Sequence, residues 1–526
     1  MLRSLALTAI LSGTAVSSCE RGALDVSEAG GQAHPEEVGE AAAAVAQKRI
    51  LISNAALVIT MDPSLGDQSP LGMLENSDVL LEGSEIVAVG QDLVESGNVE
   101  KIDASGKIVM PGFVDVHDHL WQSIERGCGL DKDVSGWIAE CNGPVGRPNT
   151  LPPPNTQAPL SEDEVYAAVR LSTLDLIGTG VTTVADWSHS FTPAFAAGDV
   201  SALEDSGLRF VFVYRGVNNA ATIDDIRQVK SQRIDPNPLA TLQLGSGTNN
   251  SDLVAMLSLA EEMDTLLHVH VLENIRDRGV SMTGEAVQIT ALKNACLPNG
   301  HCAFGPRLVA DHAVHLKDCE VADFGAAGVR VAHNPASNMR LASGVARVGD
   351  LHTVGVRLGL GLDGGTNDTA DMFVNMRDAV GLQRAHHAAD PQWSAQCQAS
   401  TIYPTVADTL RLATLGGAEV LGMQDRVGSL TPGKQADLII INPSRANFAP
   451  RIDWPGQIIF NGRPENVEWV LVAGKALKKN GKLHGASEAE IVEAAEQVAV
   501  RARSIIAAAP QQPVLCSPPQ PVTCAP

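Results

Sequence analysis

The chain has 526 residues, 44% of them hydrophobic and only 4% aromatic, with 48 Gly and 29 Pro, which is ample for a large core and too long for most single compact domains. Its formal charge is −23, from 38 basic and 61 acidic side chains, and it has no Lys/Arg-rich run, so a phosphate backbone is repelled and nucleic acid is excluded as a partner. No run of about 20 apolar residues is present, which excludes a helical membrane bundle, and the composition excludes collagen, coiled coil and wholesale disorder.

At the start of the chain Arg3 precedes an apolar run, residues 5–16, of the length of a signal-peptide core. The run closes on Val16-Ser17-Ser18-Cys19, which resembles a bacterial lipobox. Residues 1–18 are therefore expected to be a lipoprotein-type signal peptide with Cys19 lipidated; the alternative is an ordinary signal peptide beside a coincidental cysteine. With Glu20 next, the resemblance implies export to the periplasm or anchoring at the outer membrane, with membrane contact only through that lipid. Residues 19–47 are rich in Ala, Gly and Glu and lack aromatics. They bury too little to fold and read as a flexible acidic tether.

From residue 48 the texture changes to short β-branched runs at 49–59, 78–81, 85–89 and 108–110, and it returns at 436–441, 458–460 and 467–472. These are expected to be strands of one small composite β-sandwich built from both flanks, residues 48–108 and 427–484. Between them eight strand-like runs, at 108–119, 180–187, 208–215, 239–245, 265–273, 308–315, 329–334 and 356–363, alternate with helical periodicity at 162–177, 252–263 and 406–415. That alternation makes the fold class α/β and predicts a (β/α)8 TIM-like barrel over residues 109–426. A doubly wound sheet is the alternative, but no Gly-x-Gly-x-x-Gly follows an early strand. Residues 485–526 read as an amphipathic helix, capped by Ser487 with Glu490 three residues on, and a proline-rich tail.

Without Cys19 eight cysteines remain, an even number in a chain expected to reach an oxidising compartment. Cys296/Cys302 and Cys516/Cys524 are the expected short disulfides; buried free thiols are the alternative, and the remaining connectivity is open. None has the spacing of a cysteine zinc site.

Histidine carries the chemistry. On a strand, His117 and His119 point to one side, so His117-Asp118-His119 directs two imidazoles into one cavity. The fifth run ends in His268-Val269-His270 with Glu273 close behind, the sixth near His312, the seventh at His333 and the eighth at Asp363. Such groups at the C-terminal ends of barrel strands mark the face where active sites of this architecture form. Neutral imidazoles with a carboxylate suit one divalent metal ion, zinc first and iron or manganese as alternatives. No lysine on the fourth run is available to bridge a second ion. Alternation alone leaves open whether His268 or His270 is the ligand.

These residues resemble the amidohydrolase superfamily in its cytosine deaminase and triazine chlorohydrolase branch. The resemblance spans about residues 48–484 and rests on PGFVDVHDH (111–119), HVHVLE (268–273), DHAVH (311–315), VAHNPASN (331–338), GLGLDGG (359–365) and VGSLTPGKQADLIII (427–441). It implies His117, His119, His270 and Asp363 as metal ligands, Glu273 as proton shuttle and His312 as the group that orients and polarises the substrate. Asp363 also takes the proton of the attacking water, and His333 stands behind the site or lines the pocket. After the fourth strand the chain reads Gly245-Ser246-Gly247-Thr248-Asn249 in place of a His-Ala-Pro-type motif of some deaminases, which leaves the substrate open. Gln122, Trp187, His189, Arg215, His333 and Asn338 are candidate substrate contacts.

The expected activity is metal-dependent hydrolysis of a carbon–nitrogen bond other than a peptide bond, with deamination of a small amino-substituted heterocycle first. Opening of a cyclic amide and a non-catalytic, lipid-anchored binding protein are the alternatives. A homo-oligomer is left open.

Overall fold

The computed structural model describes residues 48–94, 98–279, 284–364, 370–389 and 401–510. The expected signal segment, Cys19, the acidic tether, Cys516/Cys524 and nearly all of the proline-rich tail lie outside these residues.

Strands β1 (Arg49–Ile59), β2 (Met73–Glu82), β3 (Glu85–Gly90), β4 (Val99–Asp103) and β5 (Ile108–Pro111) form the first half of a composite sheet. The barrel follows as β6 (Phe113–Asp118), β7 (Val181–Ser188), β8 (Arg209–Arg215), β9 (Ala240–Gly245), β10 (Leu267–Val271), β11 (Leu308–His312), β12 (Arg330–His333) and β13 (Arg357–Leu360). The chain then returns to the first sheet with β14 (Leu438–Ile441), β15 (Val467–Val472), β16 (Lys475–Lys479) and β17 (Lys482–Leu483).

All barrel strands pair in parallel, in sequence order from β6 to β13. The seam between β13 and β6 is bridged where Asp363 N donates to His117 O at 2.8 Å. Helices Glu162–Thr179, Pro193–Ser206, Asn250–Glu262 and Met372–Ala389 cover the outside. Strand β8 shows why the sequence takes this form: Phe210, Phe212 and Tyr214 join the outer core under the helices, and Val211 and Val213 join the inner one. Period-2 alternation with both faces buried is the signature of a barrel strand. The inner core is sealed at the N-terminal end by Ala418, Val420 and Leu421.

The composite sheet has nine strands in the order β17-β16-β15-β14-β5-β1-β2-β3, with β4 also on β1. Leu438 and Ile440 of β14 enter a separate core with Ile50, Ile52, Val79 and Trp469, while Ile439 and Ile441 face the main core beside the barrel. Both flanks of the chain thus build one sheet around its own core.

Two expectations need correction. The run 108–119 is not one strand, and the crossover falls at Gly112 rather than at 108/109. β5 pairs with β14, β6 pairs with β7, and a Cβ at Gly112 would lie 2.1 Å from Thr182 Cγ2, so only glycine fits the corner. Residues 458–460, expected as a strand, lie in the helix Trp454–Asn461. Pro455 in its first turn presets the helical φ, and Ile458 and Ile459 bury on one side.

Cys296–Cys302 is a disulfide, as expected from their spacing. Cys128–Cys141 is a second one. Cys319 is a free, exposed thiol.

Candidate active site

His117 and His119 stand at the end of β6, His270 on β10 and Asp363 in the loop after β13. These strand ends bring one ligand atom from each of the four to within 4.8 Å of the others. His117 Nε2 is 3.1 Å and His119 Nε2 3.5 Å from Asp363 Oδ1, and His119 Nε2 is 3.3 Å from His270 Nε2.

The hydrogen bonds behind these atoms fix their tautomers. His119 donates Nδ1–H to the Trp187 carbonyl at 2.8 Å, which leaves Nε2 as a lone pair facing the cluster. Burial, reinforced by His117, pushes His119 down to about 4 and His270 well below the usual imidazole range. Burial also opposes charge on His117, but Asp311 and Asp363 outweigh it and hold that residue above its ordinary value. The lone pairs of neutral His119 and His270 converge beside a carboxylate oxygen and repel one another unless a cation shares them. This donor set fits a divalent ion of the zinc, iron or manganese class.

The geometry separates the two histidines of β10. His268 is fully buried, with Nε2 2.6 Å from Gln243 Oε1, and Gln243 in turn donates to Leu421 O at 2.8 Å. His270 lines the cavity above.

Sequence reasoning missed Asp311, whose Oδ1 lies 3.3 Å from His117 Nδ1 and 3.4 Å from His268 Nδ1. Strand alternation sends neighbours to opposite faces, yet Asp311 and His312 both face inward. His312 and Ala313 have φ of 73° and 48°, left-handed values that break the alternation. Leu272, at 51°, precedes Glu273, and Asp363 itself has φ of 63°. Left-handed backbone thus accompanies the functional side chains where they turn into the site. Ser337, also missed, donates to Asp363 Oδ2.

Beside the cluster, Glu273 Oε2 is 3.9 Å from His312 Nε2, which is 3.7 Å from Asp363 Oδ2. Burial raises the Glu273 carboxyl above its ordinary value; His312 opposes this and Asp363 adds to it. These groups open into a cavity of about 380 Å³. Gln122, Trp187, His189 and Arg215 line it. Trp121 Nε1 donates to His189 Nδ1 at 3.0 Å, so neutral His189 carries its proton on Nε2.

Asn338 and His333, expected as substrate contacts, are set back from the cavity wall. Both are buried in or beside the turn from β12 into the helix Pro335–Arg340. Asn338 Oδ1 accepts from His312 Nδ1 at 2.9 Å, so it acts on His312. Burial, with His312 beside it, pushes His333 down to about 3. The long connection after β6 supplies further wall residues, Trp137, Ile138, Asn142 and Arg147, which sequence reasoning missed because that segment has no sustained period.

Residues 108–477 match the family described as "Amidohydrolase family". A 5'-deoxyadenosine deaminase of Methanobrevibacter smithii is 30% identical over 445 residues, 82% of this chain and 94% of the relative. A 5-methylthioadenosine/S-adenosylhomocysteine deaminase of Syntrophomonas wolfei is 27% identical over 470 residues, 86% and 98% of the two chains. Among solved structures, an adenosine deaminase from Xanthomonas campestris with bound zinc superimposes with a TM-score of 0.74 at 26% identity, covering 86% of this chain and 98% of that one. An atrazine chlorohydrolase from Arthrobacter aurescens complexed with zinc gives 0.73 at 24% identity, with 86% and 100% covered, and shares the fold. Motifs, barrel and family match agree: the chain belongs to the amidohydrolase family and is a metal-dependent hydrolase acting on carbon–nitrogen bonds.

Proposed function

We propose that the chain deaminates a small amino-substituted heterocycle, with zinc held by His117, His119, His270 and Asp363. The observation that carries this reading is the placement of Glu273, a partly buried carboxyl raised above its ordinary value, 3.9 Å from His312 and beside the donor cluster. When bound, the ion supplies Lewis acidity and lowers the pKa of a water towards neutrality. Asp363, its Oδ2 held by the Ser337 hydroxyl, would accept the proton of the attacking water. His312, fixed through Nδ1 by Asn338, turns Nε2 towards the substrate and orients it. Glu273, whose burial favours the protonated form, hands a proton to the departing nitrogen so that it leaves as ammonia. Trp187 and His189 supply aromatic rings, and Gln122 and Arg215 polar groups, to the wall of the cavity that would take the heterocycle.

Ammonia release by the zinc-loaded protein tests the reading, with 5'-deoxyadenosine beside aminated pyrimidines, pterins and triazines, cyclic amides and ureas. Release that Glu273→Gln abolishes while zinc is retained supports it. New carboxylate from a cyclic amide, with all amines inert, replaces it with ring opening.

Export is part of the same proposal. The disulfides Cys128–Cys141 and Cys296–Cys302 support an oxidising compartment. An intact mass starting at lipidated Cys19 is the expected result, and a mature protein starting at Met1 overturns it.

A further inference from the structure

Between residues 128 and 150 the connection between β6 and β7 is built from one helical stretch, Val134–Gly146, whose middle turn Ile138–Asn142 is π-helical, and from the 3₁₀ turn Pro148–Thr150. A π turn is rare and interrupts the regular hydrogen-bond ladder of an α-helix. Yet this segment supplies Val134, Trp137, Ile138, Asn142 and Arg147 to the wall of the active-site cavity. A wall carried on a helix interrupted in this way gains preorganisation for a ligand from an external tie.

The tie is covalent. Cys128–Cys141 ties the π-helical turn back to the chain ahead of the helix, and Val134, Trp137, Cys141 and Leu341 pack with Cys128 into a small apolar cluster of their own. Gly129, at φ 63°, lets the bridge sit against the indole. A Cβ there would come within 3.1 Å of both Cys141 Sγ and Trp137 Cδ1. Val134 N donates to Leu341 O at 3.0 Å, and Leu341 itself lines the cavity. Bridge, indole and cavity wall are therefore one packed unit, separate from the metal cluster.

The geometry points to the Cys128–Cys141 disulfide as a positioning element that sets substrate affinity, by holding Trp137 and the segment around it as one wall of the cavity. It acts through Trp137 and touches none of the reacting groups. Reduction opens the bridge to two thiols, and a phosphine that drives this is oxidised to its oxide with oxygen from water. The kinetic part of the test rests on the deaminase proposal; the exchange part does not.

The test compares Cys128→Ser/Cys141→Ser with Cys296→Ser/Cys302→Ser, which removes a bridge outside the cavity wall. Amide exchange of peptides covering 130–147 is expected to rise at least tenfold in the first variant only. With 5'-deoxyadenosine as probe, KM is expected to rise about tenfold while kcat and zinc content stay within a factor of two or three. If the first variant does not fold, folded Cys296→Ser/Cys302→Ser protein treated with a phosphine provides the same comparison. Unchanged exchange over 130–147 overturns the proposal, as does a KM that does not move or a kcat loss that follows loss of zinc. Wild-type protein inert towards 5'-deoxyadenosine counts against that substrate, and exchange then decides the role of the bridge.

Discussion

Asp311 faces His117 from below: Asp311 Oδ1 lies 3.3 Å from His117 Nδ1, while the other ring nitrogen, Nε2, lies 3.1 Å from Asp363 Oδ1. Asp311 is fully buried, and although burial opposes its charge, His117 holds its carboxyl well below the usual range. It therefore stays a carboxylate that draws the His117 proton to Nδ1 and turns Nε2 towards the cluster. A carboxylate behind a ligating imidazole fixes its tautomer and raises its basicity.

Asp311→Asn keeps the shape and loses the charge. Zinc affinity is expected to fall roughly 10- to 100-fold, read by competition with a chromophoric chelator, while the melting temperature of the zinc-saturated protein changes little. Retention of full affinity would show that His117 orients itself.

Asn338→Ala removes the acceptor that holds His312 Nδ1 at 2.9 Å. Its carboxamide is set back from the cavity, so substrate binding is spared and the aim of the imidazole is lost. Turnover is expected to drop about 10- to 100-fold with KM and zinc content nearly unchanged, since small misplacements of a reacting group carry costs of that order. A variant that raises KM alone would return Asn338 to the substrate-binding wall.

The barrel was legible in the sequence because its strands are buried on both faces and alternate cleanly, as in Phe210 to Tyr214. The four cluster residues were legible because each stands in a family motif at a strand end. Asp311 was not, because the left-handed turn at His312 cancels the alternation that would have placed it. The Trp137 wall and the Cys128–Cys141 pair were hidden for another reason: the π-helical turn in the middle of Val134–Gly146 breaks the period of 3.6 residues that would have marked a helix. Residues 458–460 were misread because three consecutive apolar residues suit a strand or a buried helix equally, and Pro455 decided between them.

Arg209, at the start of β8, joins the barrel to the composite sheet. Its Nε donates to Asp437 Oδ2 at 2.7 Å and its Nη2 to Asp437 Oδ1 at 3.2 Å, with both side chains almost wholly buried. Asp437 Oδ1 also accepts from Ala473 N at 2.7 Å. Truncating one partner strands the other charge in the interior, so Arg209→Ala is expected to destabilise the fold by about 3–5 kcal/mol, measured by denaturant or thermal unfolding. A loss under about 1 kcal/mol would mean that water reaches Asp437 in the variant and replaces the guanidinium.

Lys478 provides a pH test of the same junction. Its ammonium is buried on β16 and donates to Gly178 O at 2.6 Å and Pro464 O at 3.3 Å. Burial lowers its pKa to about 8; Glu465 opposes this and Arg445 assists it. The amine that remains after deprotonation still has two N–H groups, enough for both carbonyls. Because the folded pKa lies below the ordinary lysine value, the unfolded chain binds more protons between about pH 8 and 10.4. Folding stability from this group therefore rises with pH across that window and is lowest below it, where both states carry the charge. Lys478→Met removes the slope, so the stability of the wild type relative to the variant is expected to climb by roughly 1–3 kcal/mol from pH 7.5 to 10. Other titrating groups are common to both proteins and cancel in the difference. Parallel curves would mean that the ammonium keeps its water in the folded state.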